Sequence, residues 1–522
     1  LRWKKETTPV EEIAARRKAM HAFINASAAW LNEHIKSFIQ QHVPDAVFID
    51  DFDKFPTGVD TVFQYCDGWG LAQNFAVTNV AERGLINAYP NSDALARKDF
   101  LAAVVEYWAA KRPESILRKH VPVTVRLTLD YAEYVDDAVM AADDLSLLYS
   151  LEQNEAKDAK DREWWILKPS LVDCGAGIRQ FSTMEELASH LELAENETNG
   201  VDEDDEDMES GDDGAEAKTP TKEVDGSSLS PSLTTPGLDS LDALVTVTGT
   251  LSFSSAAKPT THPSSRSSSL NPPVRSKKPQ HVFKAAGRIP SAQMRAFVAQ
   301  RYIVAIPPLD GRKWHVCAYA LSVGRLKVHV ARDMLALLAV EPYQPPWENP
   351  SLKASLTNTA LQDEAEFVAR ESMRDFWAVD PEGTIEFPDR SDSDSDVDWK
   401  THVFDQICGI TAELFRAAAH TMADKFTTLD KCFELFAIDF LVDAGGNAWL
   451  LEVNETPAFY QHGVAGSISL RLMEAVVCVT MEHMGMAEAG DPRNAAVRNR
   501  FVEVLDETDK LGKSNITEIT AE

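Results

Sequence analysis

The run Cys432-Phe-Glu-Leu-Phe-Ala-Ile-Asp-Phe-Leu-Val-Asp-Ala-Gly-Gly-Asn-Ala-Trp-Leu-Leu-Glu-Val-Asn-Glu-Thr-Pro457 reads as a β-hairpin that carries carboxylates where a sheet should be apolar. Phe433, Leu435, Ala437 and Leu441 alternate with Phe436, Ile438 and Phe440, and Gly445-Gly446 supply the turn. If the two glycines form a two-residue loop, positions summing to about 891 face each other, so Asp439 lies opposite Glu452, with Asn454 two residues along the same face. A three-residue loop would shift this register by one and break the pairing. Opposed like charges inside apolar runs are expensive unless a cation joins them. Two carboxylates and an amide oxygen are hard ligands suited to Mg²⁺ held partly by protein and partly by phosphates. A solvated sheet face is the plainer alternative.

Upstream, Lys168-Pro-Ser-Leu-Val-Asp-Cys-Gly-Ala-Gly-Ile-Arg179 puts a lysine at the end of the strand Trp164–Lys168 and a glycine loop after it. Gly175 and Gly177 would let backbone amides approach an anion, and Lys168 would offer a point charge to the same phosphates. The spacing matches neither the P-loop nor the dinucleotide-binding fingerprint. A strand-end lysine that reaches to solvent is the structural alternative.

The chain has 522 residues, 44% hydrophobic and 25% charged, enough for two or three domains with a substantial core. A net charge of −31 argues against binding duplex nucleic acid, which needs clustered Lys and Arg. Much of the excess is local, with 14 acidic residues against 2 basic ones between Glu195 and Asp225. The six cysteines (Cys66, Cys174, Cys317, Cys408, Cys432 and Cys478) form no CxxC pair and point to reduced intracellular thiols without a structural zinc. Glu434 and Asp439 interrupt the longest apolar stretches, so no membrane span is expected, and no signal peptide is visible. The chain opens at Leu1 in a charged stretch, as a fragment lacking an upstream portion would.

The organisation expected is an N-terminal helical segment (1–45, with a helix from about Val10 to Gln41), then a small α/β domain (46–150) with a helix at Asp99–Ala109 and a strand at Val121–Leu129. Central and C-terminal subdomains follow (151–194 and 281–490), interrupted by a disordered insertion (195–280) rich in acidic residues, Ser, Thr and Pro, and a tail closes the chain (491–522). Ser182-Thr-Met-Glu185 reads as a capping box opening a helix to about Ala194. Gln300–Ile306, Lys313–Val323 and Leu326–Val330 read as strands, and the acidic patch Ser391–Asp396 as an exposed loop. Helices are expected at about His402–Lys425 and Ser467–Met484.

Ile-Leu-Lys168-Pro-Ser, Gly-Ala-Gly177-Ile, Gln300-Arg-Tyr-Ile303, Gly311-Arg-Lys-Trp, Leu356-Thr-Asn358, Phe433-Glu-Leu-Phe-Ala-Ile-Asp439 and Trp449-Leu-Leu-Glu-Val-Asn454 occur in the order seen in tubulin-tyrosine-ligase-like proteins. The resemblance covers roughly Asn87 to Met484, and Arg332–Leu337 with Leu356–Gln362 is most similar to the fungal processing-body-associated branch. It implies an α/β (α+β) ATP-grasp fold and an ATP- and Mg²⁺-dependent ligase that forms C–N bonds, adding an amino acid to a protein acceptor through an acyl phosphate. It further implies that Lys168 holds ATP phosphates, that Gln300, Tyr302 and Ile303 line the adenine pocket with Lys313 reaching the base, and that Asp439, Glu452 and Asn454 bind Mg²⁺. Thr357 and Asn358 would sit at the phosphate and acceptor site, and Lys98 matches a family position in the N-terminal domain.

The chain departs from the family at His315, Cys317 and Leu337, where family ligases carry an Asp and two Arg; Arg332, with Arg312 or Arg325, is the candidate to replace the missing cations. The acceptor implied is tubulin or another acidic protein. The alternative implied by the branch is an ATP-binding pseudoenzyme or scaffold that meets messenger-RNA decay factors in cytoplasmic processing bodies.

Overall fold

This computed structural model describes residues 19–129 apart from 57 and 67–70, 134–171, 177–199, 295–357 apart from 350, 372–382, 385, and 398–508 apart from 489. Gly175, Asn358, the acidic patch at 391–396 and positions 200–280 of the expected insertion lie outside those residues.

The N-terminal segment is not one helix. Met20–Asn25 (β1) is a strand, and only Ala29–His42 (α1) is helical. Met20 to Ile24 are all buried, His21 among them, and β1 pairs in parallel on both edges, so it carries no regular alternation to separate strand from helix. With Val47–Ile49 (β2), Thr61–Cys66 (β3), Leu71–Val80 (α2) and Arg83–Ile86 (β4) it forms a parallel sheet in the order β2-β1-β3-β4. Segment 19–45 is therefore part of the α/β domain that the sequence suggests begins at 46. Gly84 is obligatory there, since a Cβ would lie 2.3 Å from the Thr78 carbonyl oxygen. β4 runs on into the next layer through a parallel bridge between Ile86 and Cys432.

After Lys98–Lys111 (α3) come Thr124–Thr128 (β5), Trp165–Pro169 (β6), Arg179–Phe181 (β7), Met184–Asn199 (α4) and Ala296–Arg301 (β8). They make a four-stranded antiparallel sheet in the order β5-β8-β6-β7. β5 thus leaves the N-terminal domain assigned to it from sequence and pairs with β8. The helix start is one residue later than the Ser182 box: Thr183 Oγ1 accepts from Glu186 N (3.2 Å), and the Glu186 carboxylate accepts from Ser182 N (2.7 Å).

The largest sheet holds Trp314–Val323 (β9), Lys327–Ala331 (β10), Leu335–Leu338 (β11), Met373–Asp375 (β12), Phe433–Val442 (β13), Ala448–Asn454 (β14) and Phe501–Asp506 (β15). β13 covers one edge of β9, while β11 and β10 share the other. Alternation along β9 divides its faces. Trp314, Val316, Ala318 and Ala320 pack with Phe404, Ile407 and Leu414 of Trp399–Thr421 (α5), whereas Tyr319, Leu321 and Val323 pack with Ile468, Leu472 and Val476 of Gly463–His483 (α6). Contrary to the expectation from sequence, α6 is long and apolar enough by composition to cross a membrane, but it is mostly buried inside this fold. Residues 491–508 are no tail either: β15 extends the sheet beside β10, and Glu507 accepts from Arg416 (2.7 Å) and His420 (2.9 Å).

Candidate functional site

The hairpin reaches its charge pairing by an indirect route. The loop has the three-residue form: Asp443 N donates to Asn447 O (3.1 Å), Gly446 takes φ +70°, and Asp443 Oδ1 accepts from Gly445 N and Asn447 N (2.9 Å each). The register near the turn is accordingly one off, with Leu441 opposite Trp449. A bulge at Leu451, between the Phe440–Leu450 and Asp439–Glu452 pairs, restores it. Asp439 then faces Glu452 and Ala437 faces Asn454.

Both carboxylates open into a cleft of about 550 Å³ between the two antiparallel sheets and the N-terminal domain. Their side chains are 15% and 20% exposed, so they are held in the wall but reachable. Asn454 Nδ2 lies 3.4 Å from Asp439 Oδ2, Lys98 Nζ 3.5 Å from Glu452, and His315 Nε2 3.4 Å from Asp439 Oδ1. Burial alone would raise the Glu452 carboxyl, but Lys98, Lys168 and His315 outweigh it and hold it below the usual range. The other imidazole nitrogen of His315 is hydrogen-bonded to Thr357 Oγ1, so this side chain links the acidic pair to the loop entering 358.

Lys168 comes from the end of β6. Its ammonium donates to Gln300 Oε1 (2.9 Å), and Gln300 in turn donates to Thr124 Oγ1 (3.2 Å). Burial pushes the Lys168 pKa down to about 8, against the pull of Glu452 and Asp439. Ser170 Oγ beside it is buried with no protein partner, and Gly177 takes φ +73° at the return of the loop. Lys313, lowered to about 7 by burial, lies 3.9 Å above the ring of Tyr302. Tyr302 packs with Trp164, Ile166 and Ile178, and Trp347 and Leu356 close the same apolar slot. Tyr302 and Ile303 are not strand residues, since β8 ends at Arg301 and the segment to Pro307-Pro308 has no ladder partner.

Arg332 does not reach the cleft. Its guanidinium lies 5.1 Å from the Phe404 ring centroid, on the α5 side of the sheet. Arg312 is turned to Ala339 O (3.3 Å) and Ser372, and Arg325 to Asp430 (2.9 Å). The cleft also contains residues that carry no sequence signal: Glu455, which accepts from Ser92 (2.9 Å), and Tyr460, both beyond the hairpin. Both belong to connecting segments without periodicity.

The donor set fits Mg²⁺ with phosphate. Among the described residues no three His, Cys, Asp or Glu side chains gather at metal-holding distance, so the protein would supply two carboxylates and an amide, leaving positions for phosphate oxygens and water. The orphan hydroxyl of Ser170 and the buried ammonium of Lys168 suit an anion beside them.

The profile of the "Tubulin-tyrosine ligase family" matches residues 78–203 and 271–482. A Schizosaccharomyces pombe protein described as a probable tubulin–tyrosine ligase is 33% identical over 392 residues, 75% of each chain. The Saccharomyces cerevisiae protein described as probable tubulin–tyrosine ligase PBY1 is 28% identical over 81% of this chain and 47% of its own length. The crystal structure of the C-terminal domain of Kluyveromyces lactis Pby1, described as an ATP-grasp enzyme interacting with the mRNA decapping enzyme Dcp2, superposes with a TM-score of 0.54 at 22% identity, covering 93% of this chain and 99% of that one.

Proposed function

This chain belongs to the tubulin-tyrosine ligase family and has the ATP-grasp fold, and from that premise we propose that it is an ATP- and Mg²⁺-dependent ligase joining an amine to a carboxylate on a protein. The observation that carries this reading is the opposition of Asp439 and Glu452 on a cleft wall facing the buried ammonium of Lys168. Asp439, Glu452 and Asn454 would hold Mg²⁺, which when bound neutralises charge on the transferring phosphoryl group. Lys168 and Ser170 would bind phosphate oxygens. The slot of Trp164, Ile166, Ile178 and Tyr302 would take the base, with Gln300 orienting Lys168 and Lys313 reaching in over Tyr302. Lys98 would hold Glu452 in place from the N-terminal domain.

In this reaction an acceptor carboxylate oxygen attacks the terminal phosphorus and the bond to ADP breaks, leaving an acyl phosphate. A primary amine that has lost its proton forms the C–N bond as the C–O bond to phosphate breaks, and phosphate departs. Thr357 and Asn358 would flank the acceptor. A net charge of −31 works against acidic acceptors such as tubulin tails, so any such acceptor needs a local basic contact. The test is ADP release by purified protein with Mg²⁺, ATP and a panel of amines and acidic peptides. Stimulated release that Glu452→Gln abolishes supports the reading, and release at background throughout overturns it.

A second reading rests on Cys317 and Leu337, which present no charge to the cleft, and on the likeness to a domain described as interacting with Dcp2. In it the chain is a nucleotide-binding scaffold in cytoplasmic processing bodies. Capture of a purified decapping enzyme by wild type and Glu452→Gln alike, with no ADP release, would favour it.

A further inference from the structure

The apolar slot of Trp164, Ile166, Ile178 and Tyr302 ends in polar atoms. Gln180 pairs with Ile166 across β7 and β6 and stands two residues from Ile178, so its side chain shares the slot face of that sheet. Tyr302 comes to the same place from the end of β8, and its phenol is packed among Gln180, Ser355 and Tyr343. Gln180, Tyr302 and Ser355 are only 8%, 6% and 2% exposed. Among the described residues neither atom of the Gln180 amide, nor the Tyr302 phenol oxygen, nor the Ser355 hydroxyl has a hydrogen-bond partner. Their neighbours are engaged elsewhere: Tyr343 donates to Val304 O (3.3 Å), and His190 Nε2 meets only the main-chain oxygen of Gln180 (3.0 Å). The amide that the family resemblance places at the base, Gln300, is already paired at both ends, accepting from Lys168 (2.9 Å) and donating to Thr124 (3.2 Å). A wall that had only to exclude water would gain nothing from burying a primary amide with both of its atoms free, whereas a ligand edge that sets a donor beside an acceptor satisfies both.

We propose that Gln180 reads the base of the bound nucleotide, its amide oxygen accepting from the 6-amino group of adenine and its amide nitrogen donating to the ring nitrogen beside that group. The Tyr302 phenol and the Ser355 hydroxyl can each donate and accept, and so hold the amide in the orientation adenine needs. This rests on the nucleotide-binding part of the ligase reading and adds to it the side chain that sets base preference. A purine without the 6-amino group leaves the Gln180 oxygen buried with no donor, the circumstance in which a hydrogen-bonding site discriminates most strongly against an analogue.

Purine riboside triphosphate differs from ATP by that amino group alone. Isothermal titration of the full chain with each nucleotide in the presence of Mg²⁺ should give ATP about tenfold tighter binding. Gln180→Met keeps the length of the side chain and removes the amide; it should weaken ATP about tenfold and leave purine riboside triphosphate within about threefold, so that the ratio collapses toward one. Gln180→Leu gives the same comparison if the methionine variant fails to fold. Equal affinity of the unmutated protein for the two nucleotides, or a preference for ATP that survives the substitution, overturns the proposal while ATP binding itself, and the ligase reading with it, still stands. Binding of neither nucleotide overturns both.

Discussion

Asp439 and Glu452 stand opposite each other because two displacements cancel: a hairpin loop one residue longer than the simplest turn and one extra residue, Leu451, bulged out of β14. The bulge is therefore the device that turns Glu452 and Asn454 into the cleft, since a one-residue slip would send both to the other face.

Glu452→Gln removes a charge from the pair while preserving shape. Mg²⁺-dependent ADP release should fall by about two orders of magnitude or more. Stability should change by less than about 1 kcal/mol, because the side chains of Glu452 and Lys98 keep some contact with solvent. A urea melt beside the activity assay checks both, and unchanged release would remove this carboxylate from the chemistry.

Lys168 and Lys313 give opposite pH trends for binding and folding. Their pKa values are lowered from 10.5 to about 8 and about 7, chiefly by burial, so between those values and 10.5 the unfolded chain binds protons that the folded chain does not. Their contribution to stability should rise with pH over that window, and Lys313→Met should flatten the rise in denaturation measured at pH 7, 8.5 and 10. MgATP affinity should instead weaken above about pH 8 as Lys168 loses its charge. Lys168→Met should weaken it at pH 7 by about 2 kcal/mol, roughly 30-fold.

Glu434 shows the reverse linkage. It is 6% exposed, accepts from Tyr89 N (3.1 Å), lies 3.2 Å from Ser92 Oγ, and is raised from 4.5 to about 8, mainly by burial. Folded protein holds this proton where unfolded protein has released it, so its contribution is complete below about pH 4.5 and declines as pH climbs to 8. Glu434→Gln should leave stability nearly unchanged at pH 4. At pH 8 it should raise stability on the order of 2 kcal/mol, since a pKa unit corresponds to about 1.4 kcal/mol. Parallel pH profiles for the two proteins would refute the assignment.

Glu507 fastens β15 to α5 through Arg416 and His420. Glu507→Ala should lower the urea midpoint by an amount corresponding to about 2 kcal/mol with the slope unchanged. Removing residues 500–522 strips β15 from β10 and bares that edge, so the shortened protein should aggregate on expression.

Several of these features are legible in the order of residues. The two-residue period of β14 puts Glu452 and Asn454 on one face, and the apolar run preceding Lys168 marks a strand that ends in a charge. The loop length is not legible: Gly445-Gly446 suggest two residues, while the Asp443 clasp makes three, a difference that only hydrogen bonding reveals. β1 passes for helix because a strand buried on both faces shows no alternation. Arg332 enters the expected site because a charge is visible in sequence and its direction is not.

The sequence by itself determined the local chemistry: where strands alternate, which strands carry carboxylates, and where a lysine and glycines follow one another, all consequences of backbone periods a few residues long. Tertiary structure alone decided which edges pair. β5 joins β8 across more than 160 intervening positions, β15 completes the large sheet, His315 spans Asp439 and Thr357, and Cys317 meets Leu335 and Leu337 in an apolar pocket. Strand edges are chemically alike, and the choice among them falls to the burial of whole faces, which no short window of residues contains.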